Sequence, residues 1–313
     1  MSSRRFDLPE LLRQKAFLRG DSGTRWLEGL SILVGELEEA WQVRLHRQLS
    51  GGTEALVLAV VQANGKPAVL KIGLPGELRK EALALRLANG VGYATLLAYD
   101  ESRNAVLLER LGEKLVDHGF SIRQQIEFIC ETLQTAWGKV RNPNGLMTGA
   151  EKARSLAEFI TVQWSELGEP CEKAIKDQAL AFAEEREQAY DPTLSVLVHG
   201  DAHPWNTLRW HEEHNATTHP KFKFVDPDGL FAEPACDLSI SLREWGHELL
   251  AGDALRLGKA RCALLNGLTG VDEGAIWQWG FIEHVSSGLL YTQLGQKTSA
   301  HEHFSIAERW LAG

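Results

Sequence analysis

Residues 195–226 constrain this chain more than any other stretch. SVLVHG (195–200) is an apolar run that ends at a glycine. DAHPWN (201–206) then places an acid, a histidine and an amide within six positions. TLRW (207–210) starts a second run, and KFKFV (221–225) a third, which delivers Asp226. Short runs of this kind, bounded by Gly, Pro and Asn, read as strands. The polar letters therefore form a loop between two buried strands, and a hairpin carries the chain back so that Asp226 returns beside Asn206. The hairpin itself, HEEHNATTHP (211–220), holds three histidines among Glu, Asn and Pro and reads as a solvated loop rather than a metal site.

These residue types at this spacing suggest a chemistry. An Asp at a strand–loop junction can orient a substrate hydroxyl or accept its proton. An amide oxygen and a carboxylate together suit Mg²⁺, a hard cation that prefers oxygen ligands, and phosphate oxygens can complete its shell. Positioning and charge neutralisation dominate phosphoryl transfer, so the arrangement fits that reaction. Singly the letters mean little, because Asp after Gly is a common turn former. The specific signal is the order H-G-D-x-H-x-x-N, strand, hairpin, strand, D.

Composition narrows the classes. With 313 residues and 44% hydrophobic content, the chain can build one large domain or two modest lobes. A formal net charge of −9 disfavours nucleic acid as a partner and suits a cationic small molecule. Cys130, Cys171, Cys236 and Cys262 are scattered, with no zinc-ligand spacing, and read as reduced thiols. The N-terminal MSSRRFDLPELLRQKAF lacks the apolar centre of a signal peptide. The longest apolar run, ALVLAVV (55–61), is far short of the roughly 20 residues that span a bilayer. The expectation is a cytoplasmic protein without a membrane partner.

The first third reads as β-rich. WQVRLHRQLS (41–50) alternates, EALVLAVVQA (54–63) is aliphatic, Asn64-Gly65 signals a hairpin, and PAVLKIG (67–73) is the return strand. GELRKEALALRLANG (76–90) reads as a helix stopped by glycine, and ATLLAYDESRNAVLLERL (94–111) as two strands around a turn. From residue 120 helical spacing takes over, interrupted by the strands around the loop. The expected architecture is α+β and two-lobed: a small antiparallel sheet with one helix over 1–110, then a larger, mostly helical lobe over 111–313. Ser50, Gly51, Gly52 and Thr53 form a turn of small residues whose backbone N–H groups could approach phosphates. Lys71 lies in a buried strand and needs an anionic partner. Glu81 is favoured over Glu77, since it opens the apolar stretch of the following helix.

Taken together, these residues resemble the aminoglycoside phosphotransferases, which share the protein-kinase-like fold, and most nearly the streptomycin/hydroxyurea phosphotransferase branch. Its second carboxylate motif reads like IDPKGLVGEPAYDLA, against FVDPDGLFAEPACDLS (224–239) here. The likeness covers roughly residues 40–245. It implies ATP and Mg²⁺ as cofactors. Asp201 would be the catalytic base or hydroxyl-orienting group, with Asn206 and Asp226 as metal ligands. Lys71 would contact the α- and β-phosphates and Glu81 would fix it. The 50–53 turn would cover the phosphates, and 107–112, with Glu109, would be the hinge at the adenine. His199 and Asp237 would brace the catalytic loop, while His203 could bond the loop backbone or approach the metal.

The chain departs from the branch at Ala202, at Pro204-Trp205 where Pro-Gly is usual, and at Asp228 in D-P-x-G. Trp205 could wall the acceptor site, and Asp228 could add cation affinity or face a cationic substrate. Glu233, Arg243, Glu244, Trp245, Glu248, Trp277, Trp279 and Glu283 are further acceptor-facing candidates, the tryptophans competing with a plain core role. The resemblance implies phosphorylation of a small-molecule hydroxyl, such as one on streptomycin, conferring antibiotic resistance. The alternatives are a kinase of hydroxyurea or another small metabolite, or a catalytically silent kinase-like binding protein.

Overall fold

The computed structural model describes residues 6–49, 54–138, 140, 142, 145–210 and 220–312. The expected turn of Ser50, Gly51, Gly52 and Thr53 lies outside the described residues, as does nearly all of the 211–220 hairpin. The chain divides into two compact units, Met1–Gly112 and Glu113–Gly313. The expected boundary fell two residues earlier.

The first unit opens with two helices, α1 (Glu10–Leu18) and α2 (Asp21–Ala40). The sequence predicts one helix in this unit, over 76–90, so these two are an addition to it and a correction. The missed signal is the helical spacing of Trp26, Leu30, Val34 and Leu37, all buried. Gly23 permits the close crossing of the pair, for a Cβ there would lie 1.8 Å from the Ala16 carbonyl oxygen. Strands β1 (Val43–Gln48), β2 (Ala55–Gln62) and β3 (Pro67–Gly73) follow, then α3 (Leu78–Ala88), β4 (Leu96–Asp100) and β5 (Ala105–Glu109). They form an antiparallel sheet in the order β1-β2-β3-β5-β4. Leu56, Leu58, Leu70 and Ile72 pack beneath Leu30, Val34 and Leu37 as one apolar cluster. The central strand β3 thus has neighbours on both edges, and a polar side chain on it is enclosed.

The second unit begins with a 3-10 turn (Leu115–His118), then α4 (Ile122–Ala136), β6 (Met147–Thr148), α5 (Gly149–Glu166) and α6 (Lys173–Gln188). Capping boxes at Ser121 and Thr148 start α4 and α5. Next come β7 (Val196–Val198), β8 (Thr207–Trp210), β9 (Lys221–Phe224) and β10 (Leu230–Ala232). The chain finishes with α7 (Ala235–Arg243), α8 (Gly246–Ala251), α9 (Ala254–Thr269), α10 (Glu273–Gln293) and α11 (Lys297–Leu311). β6, β10 and β7 form one small sheet, and β8 with β9 a hairpin.

Helix α10 is apolar on every side and packs against α5, α6, α7, α9 and α11. It carries two titratable residues into that core, Glu283 at 6% exposure and His284 at 0%. Groups buried so deeply require partners, and their partners lead to the site. Trp277 and Trp279 are core residues on the same helix, which removes them from the acceptor-facing candidates. All four cysteines are free thiols. Among the described residues no helix is long and apolar enough to cross a membrane.

Candidate active site

In the first unit, Lys71 sits on β3 between Val57 of β2 and Val106 of β5. Its Nζ lies 2.6 Å from Oε2 of Glu81, one turn into α3, and both residues are buried. Glu77 is engaged by Arg19, which decides between the two acids. Glu109 accepts hydrogen bonds from the Thr95 amide and hydroxyl at 2.8 and 2.9 Å. Its carboxylate thus braces the start of β4, and any contact it makes with a base would come from its backbone.

In the second unit the loop leaves β7 at His199, which is fully buried. The Asp201 amide donates to His199 Nδ1 at 3.0 Å, and His199 Nε2 lies 2.8 Å from the Val225 carbonyl. An amide can only donate and a carbonyl only accept, so the ring proton is on Nε2. Asp237, at the start of α7, receives the His199 and Gly200 amides at 3.1 and 2.9 Å, and the Trp137 indole N–H at 2.9 Å. Burial pushes the Asp237 carboxyl up, and these three donors offset part of that cost. Gly200 stands at φ +87°, and a Cβ there would come within 2.9 Å of Asp228 Cβ. Both facts require glycine.

The loop presents Asp201. Oδ1 accepts from Arg243 Nη2 at 2.5 Å, and Oδ2 lies 3.2 Å from His203 Nε2. His203 Nδ1 accepts the Trp205 amide at 3.2 Å, so His203 bonds the loop backbone with one nitrogen and Asp201 with the other. Burial raises the Asp201 carboxyl, but the His203 hydrogen bond and the Arg243 charge prevail and hold it below the ordinary carboxylate range.

Asn206 gives its NH₂ to the Asp201 carbonyl at 3.2 Å, and its backbone carbonyl accepts the Val225 amide at 2.9 Å. Asp226 therefore emerges directly beside Asn206, and its φ of 58° is a left-handed conformation that Asp tolerates better than most residues. With the amide nitrogen turned to a carbonyl, Oδ1 is the end Asn206 can offer a cation. An amide oxygen next to a carboxylate is a hard donor set, which fits Mg²⁺ when phosphate and water oxygens supply the remainder. Among the described residues no group of three or more His, Cys, Asp or Glu could hold a metal alone.

The other candidates separate. Asp228 donates its amide to the His199 carbonyl at 2.9 Å and lies against Gly200. Solvent reaches it, yet the crowding of protein around it governs its carboxyl, which is raised; Lys152 opposes the rise and the Asp201 charge adds to it. Glu233 is tied to Arg186 Nη1 at 3.3 Å and to the Trp279 indole at 2.9 Å. Glu248 pairs with Arg261. Trp205 is 54% exposed, with Lys114 Nζ 5.1 Å above its ring. Sequence reasoning missed Trp137, Lys152 and Arg186, and placed Arg243 on the acceptor side without its bond to Asp201. Only Trp137 left a trace, since an indole in an apolar helix needs a hydrogen-bond acceptor.

Known proteins share the sequence pattern and the fold of this chain. The sequence profile of the family described as aminoglycoside/hydroxyurea antibiotic resistance kinase matches residues 40–295. A streptomycin 6-kinase of Streptomyces griseus is 27% identical over 292 residues, covering 92% of each chain. A hydroxyurea phosphotransferase of Kitasatospora aureofaciens is 28% identical over 312 residues, covering 96% of this chain and 84% of that protein. A thermostable mutant of aminoglycoside phosphotransferase APH(4)-Ia, solved with AMP-PNP and hygromycin B, superposes with a TM-score of 0.64 at 14% identity. That superposition covers 90% of this chain and 98% of the other, and it establishes the shared two-lobed α+β kinase fold.

Proposed function

The chain belongs to the aminoglycoside/hydroxyurea antibiotic resistance kinase family, and we propose that it transfers the γ-phosphoryl group of ATP to a hydroxyl of streptomycin or a close aminoglycoside. It is a phosphotransferase with an alcohol group as acceptor. The observation that carries the proposal is the Asp201 loop, with its carboxylate held by two donors and with Asn206, at its far end, accepting the amide of Val225, the residue before Asp226.

Asp201 aligns the acceptor hydroxyl. The new bond forms from that oxygen to the γ-phosphorus as the bond to the β-phosphate oxygen breaks, and the hydroxyl proton passes to the Asp201 carboxylate. A carboxylate whose pKa is held down is a weak base, so its main service is alignment, in keeping with a loose transition state that needs little proton removal early. Asn206 Oδ1 and the Asp226 carboxylate would hold Mg²⁺, which when bound neutralises phosphate charge. Lys71, fixed by Glu81, is the contact proposed for the α- and β-phosphates, and Ser50, Gly51, Gly52 and Thr53 their cover. His199 and Asp237 keep the loop backbone in place. The working compartment is the cytoplasm, where ATP is available.

Streptomycin is the favoured acceptor because relatives of that activity match nearly the whole chain, and because Asp228, which solvent reaches, and the half-buried Glu244 supply carboxylates near Asp201 for a cationic acceptor. Hydroxyurea is the second reading, supported by the relative that covers 96% of the chain. The test is ATP consumption with streptomycin, other aminoglycosides, hydroxyurea and water as acceptors. Wild type should show one strongly preferred acceptor. Asp201→Ala should lower kcat by about 10³-fold with the KM for ATP changed less than about threefold. Equal rates for the two proteins on every acceptor would refute the assignment.

A further inference from the structure

We propose that Arg243 is a positioning residue for the transfer reaction, fixing the Asp201 carboxylate in the one orientation that meets the acceptor hydroxyl. The inference builds on the role given above to Asp201. Arg243 is the last residue of α7, and its guanidinium reaches three carboxylates. Nη2 lies 2.5 Å from Asp201 Oδ1 and 3.4 Å from Glu244 Oε1, and Nη1 lies 3.3 Å from Glu283 Oε2. His203 meets the other Asp201 oxygen at 3.2 Å. A carboxylate with a donor on each oxygen cannot rotate about its Cβ–Cγ bond without breaking one of them.

The guanidinium is itself anchored. Glu283 lies on the fully enclosed face of α10 at 6% exposure, so the far side of the fork is tied to the rigid centre of the unit. The helix end that presents Arg243 is tied as well. Arg261 of α9 donates to the Ser241 and Glu244 carbonyls at 3.2 and 2.8 Å. His284 of α10 lies 3.3 Å from the Leu242 carbonyl through Nε2, and its Nδ1 is 2.9 Å from Nδ1 of His303. Three carbonyls at a helix end, normally left to water, are here closed by two neighbouring helices.

Helix α7 therefore grips the loop at two points. Asp237, in its first turn, holds the His199 and Gly200 amides. Arg243, in its last, holds the Asp201 side chain. Six residues of helix set these points about 9 Å apart. A planar fork can serve Asp201 and Glu283 at once, which the point charge of lysine cannot do.

The experiment compares Arg243→Ala, Arg243→Lys and Glu283→Gln with wild type and Asp201→Ala, using MgATP and the best acceptor of the panel, water included. Arg243→Ala should lose about 100-fold in kcat while the KM for ATP stays within about threefold, since a misplaced group costs rate rather than nucleotide binding. Arg243→Lys should recover little of the loss. Millimolar guanidinium should raise the rate of Arg243→Ala at least about tenfold, whereas urea at the same concentration should not, because only the former restores the charged fork. Guanidinium should do nothing for Asp201→Ala. Glu283→Gln, which keeps shape and volume, should show a smaller loss of the same kind and covers the case in which Arg243→Ala fails to fold.

A kcat for Arg243→Ala within about threefold of wild type, or above it, would overturn the proposal, the latter by showing that the guanidinium obstructs the acceptor. So would a loss that urea restores equally, or an unchanged kcat in Glu283→Gln. If Asp201→Ala also matched wild type, the assignment of Asp201 itself would fall. An inactive Asp201→Ala beside a fully active Arg243→Ala would remove the Arg243 proposal alone.

Discussion

The two units each hold a charge pair, one buried and one half-buried, built in opposite ways. Lys71 and Glu81 come from adjacent elements ten residues apart, a strand and the helix after it, and lie 2.6 Å from each other on rigid backbone. Asp201 stands on a loop, and its side chain and the backbone around it are held by Asp237 and Arg243 of α7, by Trp137 just past α4 and by His203 of the loop itself, with Glu283 of α10 behind them. The first arrangement is local and follows from chain connectivity. The second exists only when a set of distant helices is packed. The difference teaches where each is vulnerable. Deleting one partner should hurt the first unit through an uncompensated charge, whereas the loop should fail by losing its shape.

The largest effect is expected at the local pair. Lys71→Met leaves Glu81 buried without its cation and should cost about 3–5 kcal/mol, read as a fall in the urea midpoint of the first unit's transition. Adding Glu81→Leu should restore stability to within about 1 kcal/mol of wild type while leaving activity lost. A double variant as unstable as the single one would break the comparison.

A smaller effect is expected at the loop. Asp237→Asn removes the charge that accepts three N–H groups and turns an NH₂ toward one of them. It should lower the opening free energy of the His199 and Gly200 amides by about 2–3 kcal/mol, measured by amide hydrogen exchange. Amides of β3 should exchange as in wild type, and equal loss in both units would show that the loop and the Lys71–Glu81 pair do not open separately.

The smallest effect concerns pH. Burial, with the Arg243 charge adding to it, depresses His303 to about 4, and His284 is lowered well below the ordinary histidine value. A histidine depressed in the folded state stabilises above its unfolded pKa near 6.5 and loses that contribution as pH falls toward the folded value. His303 should therefore cost about 2 kcal/mol by pH 5, felt in α7, whose carbonyl His284 holds. Protection of α7 amides should drop between pH 7 and 5, that of β3 amides should not, and His303→Gln should flatten the slope.

Much of this fold was readable in the letters. Alternating and aliphatic runs, Asn64-Gly65 and the Asn89-Gly90 stop placed β1, β2, β3 and α3 within a few residues, because strand period, hairpin chemistry and helix capping are local physics. The two opening helices show themselves only in the helical spacing of Trp26, Leu30, Val34 and Leu37, because neither starts at a side-chain cap. In the site, the Lys71–Glu81 pair was legible from a buried lysine's need for an acid one element away. Asn206 and Asp226 were legible because a hairpin must return its strand beside its start.

The letters by themselves thus determined the elements, the loop that bears Asp201 and the hairpin that brings Asp226 home, since connectivity enforces each of these. Only the tertiary structure decided that Arg243 lies on Asp201 with Glu283 behind it, that Trp137 caps Asp237, and that Trp277 and Trp279 are core. No spacing rule joins positions 201, 243 and 283. They meet because α7 and α10 pack together, and packing depends on how whole faces of helices fit rather than on any short run of residues.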